Sequence, residues 1–111
     1  MPYSPLPSDT QLERGTAFIE ESGLIIRESF PPQIALAISG NLPTGCHQLR
    51  VKLNEADDDN KIQIEAYSVT DPNMICAQVL QKFSATIELG TYSSGHYTVW
   101  LNGAKVGEFD S

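Results

Sequence analysis

This 111-residue chain has two cysteines and two histidines, the side chains best suited to metal binding or catalysis. Cys46, His47, Cys76 and His96 are residue types that bind zinc, but the C-x₂-C and H-x₃-H spacings of zinc sites are absent. A serine–histidine–acid catalytic set is equally hard to assemble, because neither histidine accompanies a nucleophile-elbow pattern such as G-x-S-x-G. The sequence therefore predicts a protein that is not an enzyme and that uses no cofactor.

The densest charge in the chain is an acidic stretch formed by Glu55, Asp57, Asp58 and Asp59. Clustered carboxylates in a loop suit a hard cation such as calcium. The D-x-D-x-D-G order of a calcium loop is absent, and an acidic turn is more often simply solvated. A small calcium- or ligand-binding domain that uses the turn 55–60 is therefore the alternative function, and it is not the preferred one.

A candidate for surface recognition is Trp100, which precedes the turn dipeptide Asn102-Gly103. Asn-Gly favours a two-residue type I′ turn, because both positions need a positive φ. Such a turn pairs Trp100 with Lys105 and Val99 with Val106. Trp100 then faces outward beside Lys105, where a cation–π contact can form and a protein or cell-surface ligand can bind. The alternative is that Trp100 packs under the N-terminal segment or at a dimer contact.

The two cysteines flank a predicted hairpin. Residues 47–53 and 61–69 alternate apolar and polar side chains on either side of the acidic stretch, which indicates two antiparallel strands with one buried face. Cys46 precedes the first strand and Cys76 follows the second, so the two thiols can meet at the open end of the hairpin. A disulfide there would stabilise the fold by roughly 3–4 kcal/mol. The alternative is two buried, unpaired thiols of a cytosolic protein.

The rest of the chain is also rich in strand patterns, and no segment predicts a convincing helix. Ser22-Gly23 marks a bulge or a crossing between sheets. These patterns predict an all-β domain over residues 14–111, a seven-stranded antiparallel immunoglobulin-like β-sandwich. Residues 16–20 and 24–29 count as one strand if Ser22-Gly23 is a bulge, and the further strand candidates are residues 33–39, 82–89, 97–101 and 104–109.

The first thirteen residues differ in composition from the remainder of the chain. They include Pro2, Pro5 and Pro7, which break strand ladders, and they offer few apolar groups for packing. The sequence therefore predicts a flexible tail or linker over residues 1–13.

Charge and hydropathy limit the partners. A net charge of −7 argues against nucleic acid and against anionic lipid. No apolar run approaches the roughly 20 residues that span a bilayer, so no membrane span is predicted. The first residues do not resemble a signal peptide, and a trimmed chain with a lipid anchor upstream of Met1 is compatible with the sequence.

Three patches in this order resemble small immunoglobulin-like domains of bacterial envelope lipoproteins and secreted proteins. The patches are residues 28–34, 41–46 and 95–99, the last followed by Asn102-Gly103. The resemblance implies a sandwich, a Cys46–Cys76 disulfide and an extracytoplasmic location, but no activity. It also favours a non-catalytic binding or spacer module. Tyr97 looks like a tyrosine corner, whose hydroxyl bonds to nearby backbone, although a plain strand tyrosine is the alternative.

Overall fold

The computed structural model describes residues 2–111 and consists of eight strands and one short 3-10 helix. No helix in these residues is long and apolar enough to cross a membrane. In chain order the elements are the 3-10 helix Pro7–Gln11, β1 (Glu13–Thr16), β2 (Phe18–Arg27), β3 (Gln33–Leu42), β4 (Gln48–Leu53), β5 (Lys61–Thr70), β6 (Gln81–Gly90), β7 (His96–Leu101) and β8 (Ala104–Asp110).

The strands form two sheets. In the larger sheet β4 lies along one edge of β5, while β7 and β1 share the other edge and β8 lies outside β7. The smaller sheet has the order β2-β3-β6. The predicted β-sandwich is confirmed, but the described residues form eight strands and not seven. The β5–β7 pairing is parallel, so the sandwich is not wholly antiparallel, and the immunoglobulin-like arrangement is not confirmed.

The chain crosses between the sheets at Ala17, and not at Ser22-Gly23. Ala17 is buried between β1 of the larger sheet and β2 of the smaller sheet, and β2 runs unbroken through Ser22-Gly23. The bulge of β2 lies earlier, where its pairing with β3 shifts between Ile19 and Glu21. This irregularity brings the carbonyl of Phe18 so close to Gly40 that no side chain would fit at position 40.

The core lies between the sheets and follows the alternation of the strands. Inward-facing residues of both sheets are almost fully inaccessible to water, and each such aliphatic side chain contributes roughly 1.5–3 kcal/mol through burial. Phe109 of β8 stacks on Tyr97 of β7 with ring centroids 5.3 Å apart. The most deeply buried apolar residues are Ile34, Leu36, Val51, Ile62, Ile64, Ile87 and Val99.

Two predictions about single residues are confirmed. Cys46 and Cys76 form a disulfide with Cα atoms 6.3 Å apart, which ties the loop before β4 to the loop after β5. The hydroxyl of Tyr97 donates a hydrogen bond to the carbonyl of Ser93, four residues earlier, at 3.0 Å. This is the backbone contact of a tyrosine corner.

Residues 2–13 contact the larger sheet. The N–H of Val51, on the outer edge of β4, donates to the carbonyl of Tyr3 at 2.8 Å. The Arg50 guanidinium is nearly buried, and its Nε lies 3.0 Å from Oδ2 of Asp9. Hydrogen bonds from Arg50 lower the pKa of Asp9. The flexibility predicted for residues 1–13 stays a prediction, and these contacts provide a test of it.

Replacing both Cys46 and Cys76 with alanine should lower the free energy of unfolding by roughly 3–4 kcal/mol, because the unfolded chain regains the freedom of a long closed loop. The bridged residues are 30 positions apart. Urea denaturation of the variant and of the wild type measures the difference, with Met74→Ala in the same loop as a control. A loss no larger than that of the control would contradict a stabilising bridge.

Deleting residues 2–11 should lower the melting temperature by several degrees. The deletion uncovers the edge of β4 and breaks the largely buried ion pair of Arg50 with Asp9, and removing one partner of such a pair is destabilising. Thermal melts of the deletion variant and of Asp9→Asn measure the whole effect and the part due to the ion pair. An unchanged melting temperature would support the flexible tail predicted from the sequence.

Candidate functional site

Trp100 lies half-exposed on the outer face of the larger sheet, opposite the core. Its indole N–H donates to Oγ1 of Thr98 at 3.0 Å, which fixes the ring along β7. The ammonium group of Lys61 lies over the ring, 5.1 Å from its centroid. The role of Trp100 in binding stays a prediction.

The cation beside Trp100 is not the one predicted. Lys105 is the register partner of Trp100, but its ammonium group binds the carboxylate of Glu108 at 3.1 Å. Lys61 comes from β5, which runs parallel to β7 and is distant in sequence. Sequence reasoning missed Lys61 because no local pattern predicted that parallel pairing.

A second aromatic ring on the same face also carries a cation. The Arg14 guanidinium of β1 lies 3.9 Å from the centroid of the Tyr67 ring of β5. Arg14 also approaches Glu65 at 3.8 Å. We name Arg14, Lys61, Tyr67 and Trp100 together the aromatic–cation face.

Asn102 holds the two halves of this face together. Its turn has the predicted geometry, with φ of 50° at Asn102 and 85° at Gly103. Its side chain bridges the gap on the edge of β5 between β7 and β1. Oδ1 accepts from the N–H of Ala66 at 2.8 Å, and Nδ2 donates to the Ala66 carbonyl at 3.0 Å. The carboxamide therefore replaces one peptide unit of a neighbouring strand.

The predicted pairing of Val99 with Val106 is wrong. The β7–β8 register shifts between Val99 and Trp100, so that Val99 faces Gly107. This bulge moves Glu108 to the outer surface and Phe109 into the core. This bulge could have been predicted from the sequence. Without it, the alternation of β8 would bury the Glu108 carboxylate and expose the Phe109 ring.

The bulge also assembles a charged cluster around His96. Its Nδ1 lies 2.6 Å from Oδ1 of Asp110, and its Nε2 lies 3.1 Å from Oε2 of Glu108. These hydrogen bonds raise the pKa of His96, and hydrogen bonds from Lys105 and then His96 lower the pKa of Glu108. The two carboxylates contact both ring nitrogens of His96, an arrangement that favours its protonated form.

The other histidine and the acidic turn are engaged in local contacts. Nδ1 of His47 lies 2.7 Å from Oγ1 of Thr44. Oδ1 of Asp57 accepts from the N–H groups of Asp59 and Lys61, both at 2.9 Å. Within residues 2–111 no group of three or more His, Cys, Asp or Glu side chains is placed to hold a metal ion. The calcium alternative on Glu55, Asp57, Asp58 and Asp59 stays a prediction.

Exposed apolar side chains concentrate in the loop between β5 and β6, on both sides of Cys76. They are Met74, Ile75, Val79 and Leu80, and Ile75 is fully exposed. The disulfide anchors this loop, but sequence reasoning gave it no role.

The chain resembles one family and several small relatives. A model described as the ORF11 beta-sandwich domain matches residues 36–111, so β1 and β2 lie outside the matched region. An uncharacterized 10.2 kDa protein in the HgiCIIM 5′ region of Herpetosiphon aurantiacus is 32% identical over 85 residues, which is 76% of this chain and 89% of the relative. Two further uncharacterized 10.2 kDa proteins of that organism, in the HgiBIM and HgiEIM 5′ regions, are each 31% identical over 75 residues, 67% of this chain and 90% of each relative. No solved structure matches significantly.

Replacing His96 with glutamine should destabilise the fold in one pH window. The raised pKa of His96 means that its contribution is complete below its ordinary value of 6.5 and is lost as pH rises through the raised value. The lowered pKa of Glu108 means that its contribution is present above 4.5 and is lost as pH falls through the lowered value. The melting temperatures of wild type and His96→Gln should therefore differ most between pH 4.5 and 6.5 and converge well above that range.

Scanning calorimetry at constant ionic strength measures this difference. Lys52→Gln, which removes an exposed charge from β4, serves as the control and should show no such window. A difference between wild type and His96→Gln that does not vary with pH would contradict the cluster.

Proposed function

The chain belongs to the ORF11 beta-sandwich domain family, and we propose that it acts as a non-catalytic binding module of the cell envelope or of a secreted protein. Its binding surface in this proposal is the aromatic–cation face, and its ligand is a protein or another molecule of the cell surface.

The observation that carries the proposal is the pair of cation-capped rings on one sheet face. Trp, Tyr and Arg are the residues that most often dominate binding energy at protein interfaces. Trp100 and Tyr67 are half-exposed, and both stand on β-strands whose backbones are fixed by the ladder. Rings that are already ordered lose little conformational entropy when a partner covers them.

The charges of the face favour a particular kind of partner. Arg14 and Lys61 are cations on a chain whose net charge is −7, and each lies over an aromatic ring, with Glu65 3.8 Å from Arg14. A partner with an apolar or aromatic centre and carboxylates near its rim would stack on the rings and pair with both cations.

The extracytoplasmic location in this proposal is supported by the disulfide. Disulfides persist in oxidising compartments and are rare in the cytosol of most cells. The bridge of Cys46 with Cys76 is the only one that the two cysteines of the chain permit. The resemblance to envelope lipoproteins and secreted domains points the same way, and a lipid anchor upstream of Met1 belongs to the same proposal.

The single tryptophan of the chain makes the binding proposal testable. Protein labelled with 5-fluorotryptophan gives one ¹⁹F resonance, which reports on the face directly. Adding a cell-surface fraction of the source organism should broaden or shift this resonance. In the variant Arg14→Ala/Lys61→Ala, the amount of this fraction that produces half of the change should rise about tenfold or more, because both cations that would pair with carboxylates of the partner are lost.

Ile75→Ala is the control, since it removes a fully exposed side chain that is not part of the aromatic–cation face and should leave the titration unchanged. Thermal melts establish that each variant is folded. An unchanged resonance in the wild type, or an identical response in the double variant, would contradict binding through this face.

A further inference from the structure

The smaller sheet ends in a strand with an unpaired edge. β6 pairs with β3 along one side, and its other side has no backbone hydrogen-bond partner among residues 2–111. Its pairing with β3 is regular from Gln81 to Glu88, and the only register shift lies beyond that run, opposite Ile34 and Ala35. A long regular edge of this kind is a template for another strand.

The other outer strands are covered, interrupted by a register shift or, in the case of the four-residue β1, short. The edge of β4 is covered by the N-terminal segment, through the hydrogen bond of Val51 with Tyr3. β2 has a register shift after Ile19, and the β7–β8 pairing shifts beside Val99. Bulges of this kind commonly protect edges from pairing. β6 is therefore the edge on which an additional strand fits best.

We infer that β6 pairs antiparallel with β6 of a second copy of this chain, symmetrically about Ala85. In that register Lys82 faces Glu88 of the second copy, and Glu88 faces Lys82 of the second copy. Ser84 likewise faces Thr86. All four side chains are exposed on the outer face of the sheet, so the symmetric pairing would form two opposite-charge pairs and two hydroxyl pairs.

The charge pattern selects this register against its neighbours. Shifting the centre to Ser84 or to Thr86 moves Lys82 away from Glu88 of the second copy. A parallel in-register pairing would place Lys82 beside Lys82 and Glu88 beside Glu88, and like charges that face each other across strands are destabilising. Lys82 makes no ion pair within residues 2–111, whereas Glu88 contacts Arg27, so the new pair would extend that contact.

The inner face of β6 is compatible with the same pairing. Phe83 is half-buried and packs at the margin of the core, whereas Ile87 is fully buried. The symmetric register sets Phe83 opposite Ile87 of the second copy, which is an aromatic–β-branched pair of the kind that stabilises sheets. The pairing would join two three-stranded sheets into one and leave the aromatic–cation face, on the other sheet, uncovered.

Charge reversal across the proposed pair tests the inference. Sedimentation equilibrium of the wild type from micromolar to millimolar concentration should show a monomer–dimer equilibrium. Lys82→Glu alone and Glu88→Lys alone should each weaken dimerisation by roughly tenfold or more, because both cross-strand pairs become repulsive. An equimolar mixture of the two variants should recover the dimer, since each carboxylate at positions 82 and 88 of one variant then faces an ammonium group of the other.

Lys52→Glu is the matched control, because it makes the same change of charge on an exposed residue of β4. It should dimerise like the wild type. Circular dichroism melts verify that each variant is folded. A wild type that stays monomeric to millimolar concentration, a dimer that Lys82→Glu does not weaken, or a mixture that fails to dimerise would each overturn the inference.

Discussion

The larger sheet depends on one side chain, Asn102, which lets two strands share one edge of β5. β7 occupies the first half of that edge and β1 the second half, and the Asn102 carboxamide closes the gap at Ala66 with two hydrogen bonds. Without it, a buried peptide N–H and C=O would lack partners, and such groups are costly. The same turn starts β8, so Asn102 couples the last hairpin to β5.

The bulge opposite Val99 sets the chemistry of the last hairpin. A strand has a side-chain period of two, so one extra residue exchanges the two faces beyond it. Phe109 thereby reaches Tyr97 in the core, while Glu108 and Asp110 reach His96 outside. Apolar packing and the charged cluster are consequences of a single backbone irregularity. A change that removed the bulge would disturb both at once.

Local patterns in the sequence predicted much of the fold. The Cys46–Cys76 pairing, the β4–β5 hairpin and the Asn102-Gly103 turn follow from alternation and turn chemistry within short stretches. The parallel β5–β7 pairing and the contact of Lys61 with Trp100 could not be predicted this way, because they join segments more than thirty residues apart. The contact of Asp9 with Arg50 was missed for the same reason, since proline content alone suggested a tail.

The two sheets of the sandwich carry two different kinds of surface. The larger sheet presents the aromatic–cation face on its outer side, whereas the smaller sheet presents backbone along the free edge of β6. If the edges of two copies pair, the dimer has two aromatic–cation faces related by two-fold symmetry. A surface that displays many copies of a ligand would then be bound twice, and linked binding events strengthen attachment without any new contact. A low affinity of each aromatic–cation face for its ligand would then be sufficient for tight attachment to such a surface.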